Sequence, residues 1–339
     1  MRDGDVLILR GGEIADLLDG REAEVVEAVR RAYLIHAQGE SSLPHSLFLR
    51  FPNDDANRII ALPAYLGDGF GLAGMKWIAS FPGNVKKGMA RASAVLILNS
   101  AETGRPEAIL ESSLISARRT AASAALAGQV LREGRETPAA GLIGTGVINF
   151  EIARFLNHLL PGISRYLLFD LDRERAEEFA GRVRGLLPGA TVEVADAVAD
   201  LYRSCPLISF ATTAKPHVSS ADLSVCQPGT TLLNISLRDL LPEVVLAADN
   251  VVDDVDHVMR AATSVHLAEQ EVGNRDFVRC TLADLLAGTA PPKADERAFT
   301  IFSPFGLGVL DLAVGDLAQR LAEESGHGTR IESFLPTAD

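Results

Sequence analysis

The run Ala140-Gly141-Leu142-Ile143-Gly144-Thr145-Gly146, followed by Val147-Ile148-Asn149-Phe150-Glu151-Ile152-Ala153, constrains the fold of this chain more than any other segment. It reads as a buried strand, a turn too tight for side chains, and a helix whose first turn points back at that turn. Unsatisfied N–H groups and the positive end of the helix dipole at such a place suit a pyrophosphate. A second apolar run, Arg165-Tyr166-Leu167-Leu168-Phe169, ends on Asp170, 26 positions after Gly144. A carboxylate at the end of the second strand is the group that dinucleotide sites use to hold a ribose 2′-hydroxyl. The third glycine of the G-x-G-x-x-G pattern is Asn149, so the pattern is partial. A glycine turn alone is a common structural device. Strand, turn, helix, strand and acid in register point to a nucleotide. Asp170 argues for NAD over NADP, since its charge repels a 2′-phosphate; Arg173 is the nearest cation that could oppose it.

From Ala139 onward, strand and helix patterns alternate. Strands are predicted over 140–143, 166–169, 191–194, 207–210, 231–234 and 250–253, with helices over 147–160 and 173–187. That is the rhythm of a doubly wound parallel sheet of the Rossmann type. The earlier part differs. Helices over 13–20 and 21–38 precede strand-like runs at 46–51, 58–63, 72–81, 92–99 and 106–111, separated by Gly, Asn and Asp turns, which suggests a mostly antiparallel sheet. An alanine-rich helix over 115–131 links the halves, and the last helix, 310–325, is expected to return to the first domain. The expected architecture is α/β: a Rossmann domain over 126–306, and a discontinuous α+β domain with an antiparallel sheet over 1–125 and 307–339.

The 339 residues, 47% hydrophobic and 23% charged, suffice for two soluble domains. No apolar run approaches the ~20 residues of a membrane span, and the first residues lack an export signal's apolar stretch. Cys205, Cys226 and Cys280 are scattered and odd in number, which fits reduced thiols in a cytoplasmic protein better than disulfides or zinc. A net charge of −13 disfavours nucleic acid and anionic membranes as partners. Asp253-Asp254-Val255-Asp256-His257 matches no metal template and reads as a solvated loop or dimer contact, so no metal is expected.

In open α/β sheets, ligands bind beyond the carboxyl ends of the strands. Ala211-Thr212-Thr213-Ala214-Lys215 and Asn234-Ile235-Ser236-Leu237-Arg238-Asp239 fall at such ends. By itself Asp239 reads as a loop acid or helix N-cap. In the first domain, Gly74-Met75-Lys76-Trp77-Ile78 puts a lysine inside an apolar strand, where it needs a partner or a ligand. Arg118-Arg119 opens the alanine-rich helix, and Arg50 sits on a strand beside Phe51. With Lys76 these arginines are candidates for a carboxylate pocket, because guanidinium binds carboxylates in a bidentate fork.

Over nearly its whole length the chain resembles the ornithine cyclodeaminase/mu-crystallin superfamily. The resemblance rests on Gly74-Met75-Lys76, Arg91-Ala92-Ser93-Ala94, Arg119-Thr120-Ala121-Ala122-Ser123-Ala124, Gly144-Thr145-Gly146, Asp170 and Asn234 through Asp239. Within it, Ser42-Leu43-Pro44-His45-Ser46, Lys76 through Asn84, Ser236-Leu237-Arg238-Asp239 and Ser303 through Gly308 are most similar to the 2,3-diaminopropionate biosynthesis dehydrogenases of the staphyloferrin B type. The resemblance implies NAD-dependent oxidation of N-(2-amino-2-carboxyethyl)-L-glutamate, with water, to 2-oxoglutarate and L-2,3-diaminopropionate, a precursor of siderophores and peptide antibiotics. It further implies Lys76 and Asp239 as catalytic residues, and Arg50, Lys76 and Arg119 as the substrate-carboxylate site. Ser93, Arg119, Thr120, Gly144, Thr145, Gly146, Val147, Ile148, Asp170, Thr212, Thr213 and Ser236 would border the cofactor. A homodimer formed through the antiparallel sheet is implied too. The two glycines that precede the catalytic aspartate in cyclodeaminases are Leu237 and Arg238 here, which speaks against ornithine cyclisation. Arg238 is a candidate for an extra substrate carboxylate, or for an ion pair with a nearby acid such as Asp239. Ketimine reduction, alanine oxidation and a non-catalytic ligand-binding role like that of mu-crystallin stay open at this level.

Overall fold

The computed structural model describes residues 4–213 and 223–336. The chain divides into two compact units, one of residues 1–119 and 307–339 and the other of residues 120–306. Unit 1 begins with β1 (Val6–Leu9), α1 (Gly11–Leu18) and α2 (Glu22–Ala37). The strands β2 (Ser41–Ser42), β3 (Leu47–Phe51), β4 (Asp54–Leu66), β5 (Leu72–Ser80), β6 (Ala92–Ser100) and β7 (Pro106–Glu111) follow. The unit boundary falls inside α3 (Ser113–Leu131).

Unit 2 continues with β8 (Ala139–Ile143), α4 (Val147–Leu159), β9 (Arg165–Phe169), α5 (Arg173–Leu186), β10 (Thr191–Val194), α6 (Val198–Ser204), β11 (Leu207–Phe210) and β12 (Thr231–Asn234). It ends with α7 (Pro242–Leu246), β13 (Asp249–Val252), α8 (Val255–Val258), α9 (Ser264–Val272), β14 (Val278–Thr281), α10 (Leu282–Ala287) and β15 (Thr300–Ser303). The chain then re-enters unit 1 with α11 (Gly308–Ser325) and β16 (Thr329–Ile331).

The unit 2 sheet runs β10-β9-β8-β11-β12-β15-β13-β14, and every pair is parallel. Its inner strands β8, β11, β12 and β15 are buried throughout, β8 as the continuous apolar run Ala139–Ile143, as a sheet covered on both faces requires. Leu201, Tyr202, Ile208, Phe210, Leu232 and Ile301 belong to its core. Chain order reverses at β8: β9 lies on one side of it and β11 on the other. Such a switch point opens a crevice at the carboxyl ends of the strands, where ligands bind.

The unit 1 sheet runs β16-β1-β7-β6-β5-β4-β2, with β3 also on β4. All its pairs are antiparallel except β1 with β7. Helix α11 lies on β4, β5 and β6. Its close approach depends on missing side chains: a Cβ at Gly74 would stand 2.3 Å from the Ile97 carbonyl oxygen and 2.7 Å from Leu312 Cδ2, and one at Gly315 would stand 2.4 Å from Leu96 Cδ2. Gly308, Asp311, Leu312 and Gly315 share that sheet-facing side at helical spacing.

Candidate active site

Lys76 lies on β5, on the sheet face that α11 covers, and is 1% exposed. Its ammonium stands 2.8 Å from Asp311 Oδ2 and donates to Ser116 Oγ at 3.0 Å. Arg119 on α3 donates Nε to the other oxygen of Asp311 at 3.0 Å. Asp311 is fully buried. Two cations thus share one carboxylate, leaving this buried centre one positive charge in excess, which an incoming carboxylate would balance. Burial and the charge of Arg119 lower the Lys76 ammonium from its ordinary value of 10.5 to about 8, with Asp311 opposing them.

Asp311 was not anticipated from the sequence. The signal was present, because an acid inside Val309-Leu310-Asp311-Leu312-Ala313-Val314 obeys the same argument as a lysine inside an apolar strand. Arg118, next to Arg119, points elsewhere and donates to the Leu18 carbonyl. Arg50 is exposed, its guanidinium 5.8 Å from the Phe48 ring centre. Sheet register nevertheless puts it on the Lys76 face: Arg50 pairs with Arg58, Arg58 with Ser80, and Ser80 has the same parity as Lys76. Ser93 is exposed and pairs with Ala79 on the opposite face.

In unit 2 the turn after β8 has the geometry that a dinucleotide cradle needs. Gly144 holds φ at +91°, and a Cβ there would stand 2.6 Å from the Ala211 carbonyl oxygen, so only glycine is accommodated. Gly146 is the N-cap of α4, no side chain caps that helix, and its first-turn amides are therefore donors for an anion. Val147 is exposed and Ile148 half-buried in that first turn. Asp170, at the end of β9, accepts from Thr145 N at 2.9 Å and Thr145 Oγ1 at 2.7 Å through one oxygen, and from Asp172 N at 3.1 Å through the other. Burial alone would raise its carboxyl, but these bonds and the Arg175 charge hold it below the usual carboxylate range. An ionised Asp170 beside the glycine turn fits a ribose hydroxyl and opposes a phosphate there. Arg173 is paired with Asp196 and lies 3.7 Å from Glu177.

Asn149 occupies the third-glycine position for a visible reason. Its Nδ2 donates to the Ile143 and Gly144 carbonyls at 2.8 and 2.7 Å, and its Oδ1 accepts from Ser209 Oγ at 2.8 Å. A fully buried side chain therefore ties the glycine turn to β11.

Asp239 is 3% exposed. Thr212 Oγ1, just past β11, donates to its Oδ1 at 2.6 Å, and Ser236 Oγ hydrogen-bonds its Oδ2. The pairing of β11 with β12 brings these two loop segments together. Leu237 holds φ at +72°, a left-handed conformation that costs a side-chain-bearing residue about 1–2 kcal/mol. Its carbonyl accepts from Ser264 N at 2.7 Å. Arg238 donates Nε to the Ala262 carbonyl at 3.1 Å and Nη2 to that of Ala261, so these donors brace a turn of the chain itself. Thr120 is half-buried at the start of unit 2 and Thr213 is exposed, whereas Ala214 and Lys215 lie outside the described residues.

The acidic string after β13 requires a correction. Asp253 is not solvated: it is 1% exposed and accepts from the amides of Asp254, Phe305 and Gly306 at 2.9, 2.9 and 2.7 Å. Asp254 caps α8. These acids hold loops in place, and among the described residues no cluster of His, Cys, Asp and Glu is arranged for a metal. Cys205, Cys226 and Cys280 are buried free thiols. No described helix is long and apolar enough to cross a membrane.

Residues 19–325 match the model of the ornithine cyclodeaminase/mu-crystallin family. The chain is 27% identical over 340 aligned positions to N-((2S)-2-amino-2-carboxyethyl)-L-glutamate dehydrogenase of Staphylococcus aureus, which covers 97% of this chain and 99% of that protein. Among solved structures, the Δ1-pyrroline-2-carboxylate reductase of Thermococcus litoralis, in complex with NADH and L-proline, superposes with a TM-score of 0.87 at 26% identity, over 96% of this chain and 99% of that one. An archaeal alanine dehydrogenase dimer with bound NAD gives 0.85 at 26% identity, over 97% and 99%.

Proposed function

This chain belongs to the ornithine cyclodeaminase/mu-crystallin family, and we propose on that basis that it is an NAD-dependent oxidoreductase acting on an amino acid derivative. The substrate we assign is N-(2-amino-2-carboxyethyl)-L-glutamate, oxidatively hydrolysed to 2-oxoglutarate and L-2,3-diaminopropionate. The observation that carries this reading is the buried centre in which Lys76 and Arg119 share Asp311. Its excess positive charge suits a substrate carboxylate; Arg50, on the same sheet face at the Ser80 row, is a candidate contact for another part of the substrate.

The glycine turn, the uncapped start of α4 and Asp170 would hold NAD, with Ser93, Thr120, Thr212, Thr213 and Ser236 as further candidates at its border. When bound, NAD supplies the acceptor for the hydride that leaves the glutamyl Cα as the uncharged secondary amine becomes a protonated imine, which keeps the N–H proton. Lys76 and Arg119 hold the carboxylate on that carbon and so orient its C–H bond. Asp239, itself held by Thr212 and Ser236, takes a proton from water as the water adds to the imine carbon. It returns that proton to the nitrogen, and the carbinolamine hydroxyl gives its own proton to solvent as the C–N bond breaks and diaminopropionate leaves with the electron pair.

A homodimer is part of the proposal. Leu47, Ala61, Trp77 and Val95 form one cross-strand row on the sheet face opposite Lys76, and Leu47, Trp77 and Val95 are 69%, 40% and 41% exposed. A second copy would cover this apolar surface. The test is NADH formation with N-(2-amino-2-carboxyethyl)-L-glutamate, L-ornithine, L-proline and L-alanine supplied in turn with NAD or NADP. The N-substituted glutamate with NAD is expected to be turned over most efficiently. Preference for any of the other three amino acids would overturn the substrate assignment.

A further inference from the structure

Four residues along β5 from Lys76, the same sheet face carries a second group of cations. Arg91, at the end of the 81–91 loop, donates Nη1 to Ser80 Oγ at 2.8 Å, and Ser80 pairs with Arg58, which pairs with Arg50. Arg91 is half-buried, and among the described residues no carboxylate pairs with it. Burial alone lowers its guanidinium from the ordinary value, with no acid opposing. A desolvated guanidinium bonded to a neutral hydroxyl retains donors for an anion. Between the two cationic groups lie Ile60 and Ile78, half-buried partners in the register. The backbone positions of Lys76 and Ser80 are about 13 Å apart at ~3.3 Å per residue, a span that side chains as long as lysine and arginine shorten.

We propose that Arg91 binds a second substrate carboxylate, remote from the reacting carbon, so that this face selects dicarboxylic over monocarboxylic amino acids. The apolar floor of Ile60 and Ile78 would take the methylene chain between the two charges. This rests on reading the Lys76 centre as the site of the first carboxylate, and it identifies the glutamyl γ-carboxylate as the group recognised.

The experiment compares wild type, Arg91→Gln and Arg91→Lys on N-(2-amino-2-carboxyethyl)-L-glutamate and on its norvaline counterpart, in which a methyl group replaces the γ-carboxylate. Wild type should favour the glutamate form through KM. Arg91→Gln should raise that KM about 10- to 100-fold, the value of a charged hydrogen bond, with little change in kcat, and should treat the two compounds alike. Arg91→Lys should restore part of the preference. An equal loss on both compounds, or no loss on either, overturns the proposal.

Calorimetry with 2-oxoglutarate and 2-oxopentanoate in the presence of NADH reads the same preference without turnover. Equal affinities in wild type overturn it there. If L-alanine proves to be the substrate while 2-oxoglutarate is still preferred through Arg91, the reaction assigned above fails and the carboxylate site stands.

Discussion

In unit 1 the candidate site groups sit on regular elements distant in sequence: Lys76 on a strand, Arg119 on one helix and Asp311 on another. In unit 2 they sit where strands end, and the glycine turn, Asp170, Thr212 and Asp239 are held largely by backbone geometry and short hydrogen bonds between neighbouring loops. The first arrangement is a buried ion cluster whose members depend on one another. The second is a set of loop positions fixed by a parallel sheet that would form without them. Loss of one group in unit 1 should therefore disturb the fold as well as the chemistry, whereas loss of the Asp239 carboxylate in unit 2 should disturb the chemistry alone.

The largest effect is expected in unit 2. Asp239→Asn keeps the shape and removes the proposed acid/base, and kcat should fall about 10²- to 10⁴-fold with an unchanged denaturation midpoint. A large stability loss would erase the contrast between the units.

Asp311→Asn sharpens the contrast from the other side. It leaves Lys76 and Arg119 as two buried cations without a counter-ion, which costs about 3–5 kcal/mol in urea denaturation. It also changes the pH profile. In wild type, KM should rise as pH passes about 8, where the Lys76 ammonium loses its proton. Asp311 raises that value and Arg119 lowers it, so without Asp311 the rise should begin at lower pH. A variant as stable as wild type, with an unmoved profile, would show that the cluster is not the interdependent unit described.

The same contrast explains what the sequence could disclose. The glycine turn and Asp170 were legible because strand, turn, helix and strand follow one another locally, and the parallel order of unit 2 follows from that alternation. Asn149 was visible only as a missing glycine, since its role depends on Ser209, sixty residues later and brought near by β11. Asp311 depends on where α11 docks, and no local period reports that. β1, β14, β15 and β16 were not anticipated although β10 to β13, equally short, were, because the latter four continue the strand–helix alternation that starts at β8. Asp253 looked solvated because its partners, the amides of Phe305 and Gly306, lie fifty residues away. Arg238 drew attention as a charge beside the candidate acid/base, while its bonds to Ala261 and Ala262 depend on the turn that those two residues make.

The central claim, that hydride leaves the glutamyl Cα and water enters at the same carbon, is tested most directly by isotopic labelling. N-(2-amino-2-carboxyethyl)-L-glutamate deuterated at the glutamyl Cα is turned over with NAD in heavy-oxygen water, and the products are weighed by mass spectrometry. The account predicts deuterium in the reduced nicotinamide, heavy oxygen at the keto position of 2-oxoglutarate, and neither label in diaminopropionate. Deuterium released to solvent, or heavy oxygen absent from 2-oxoglutarate in a sample quenched before exchange, would contradict it.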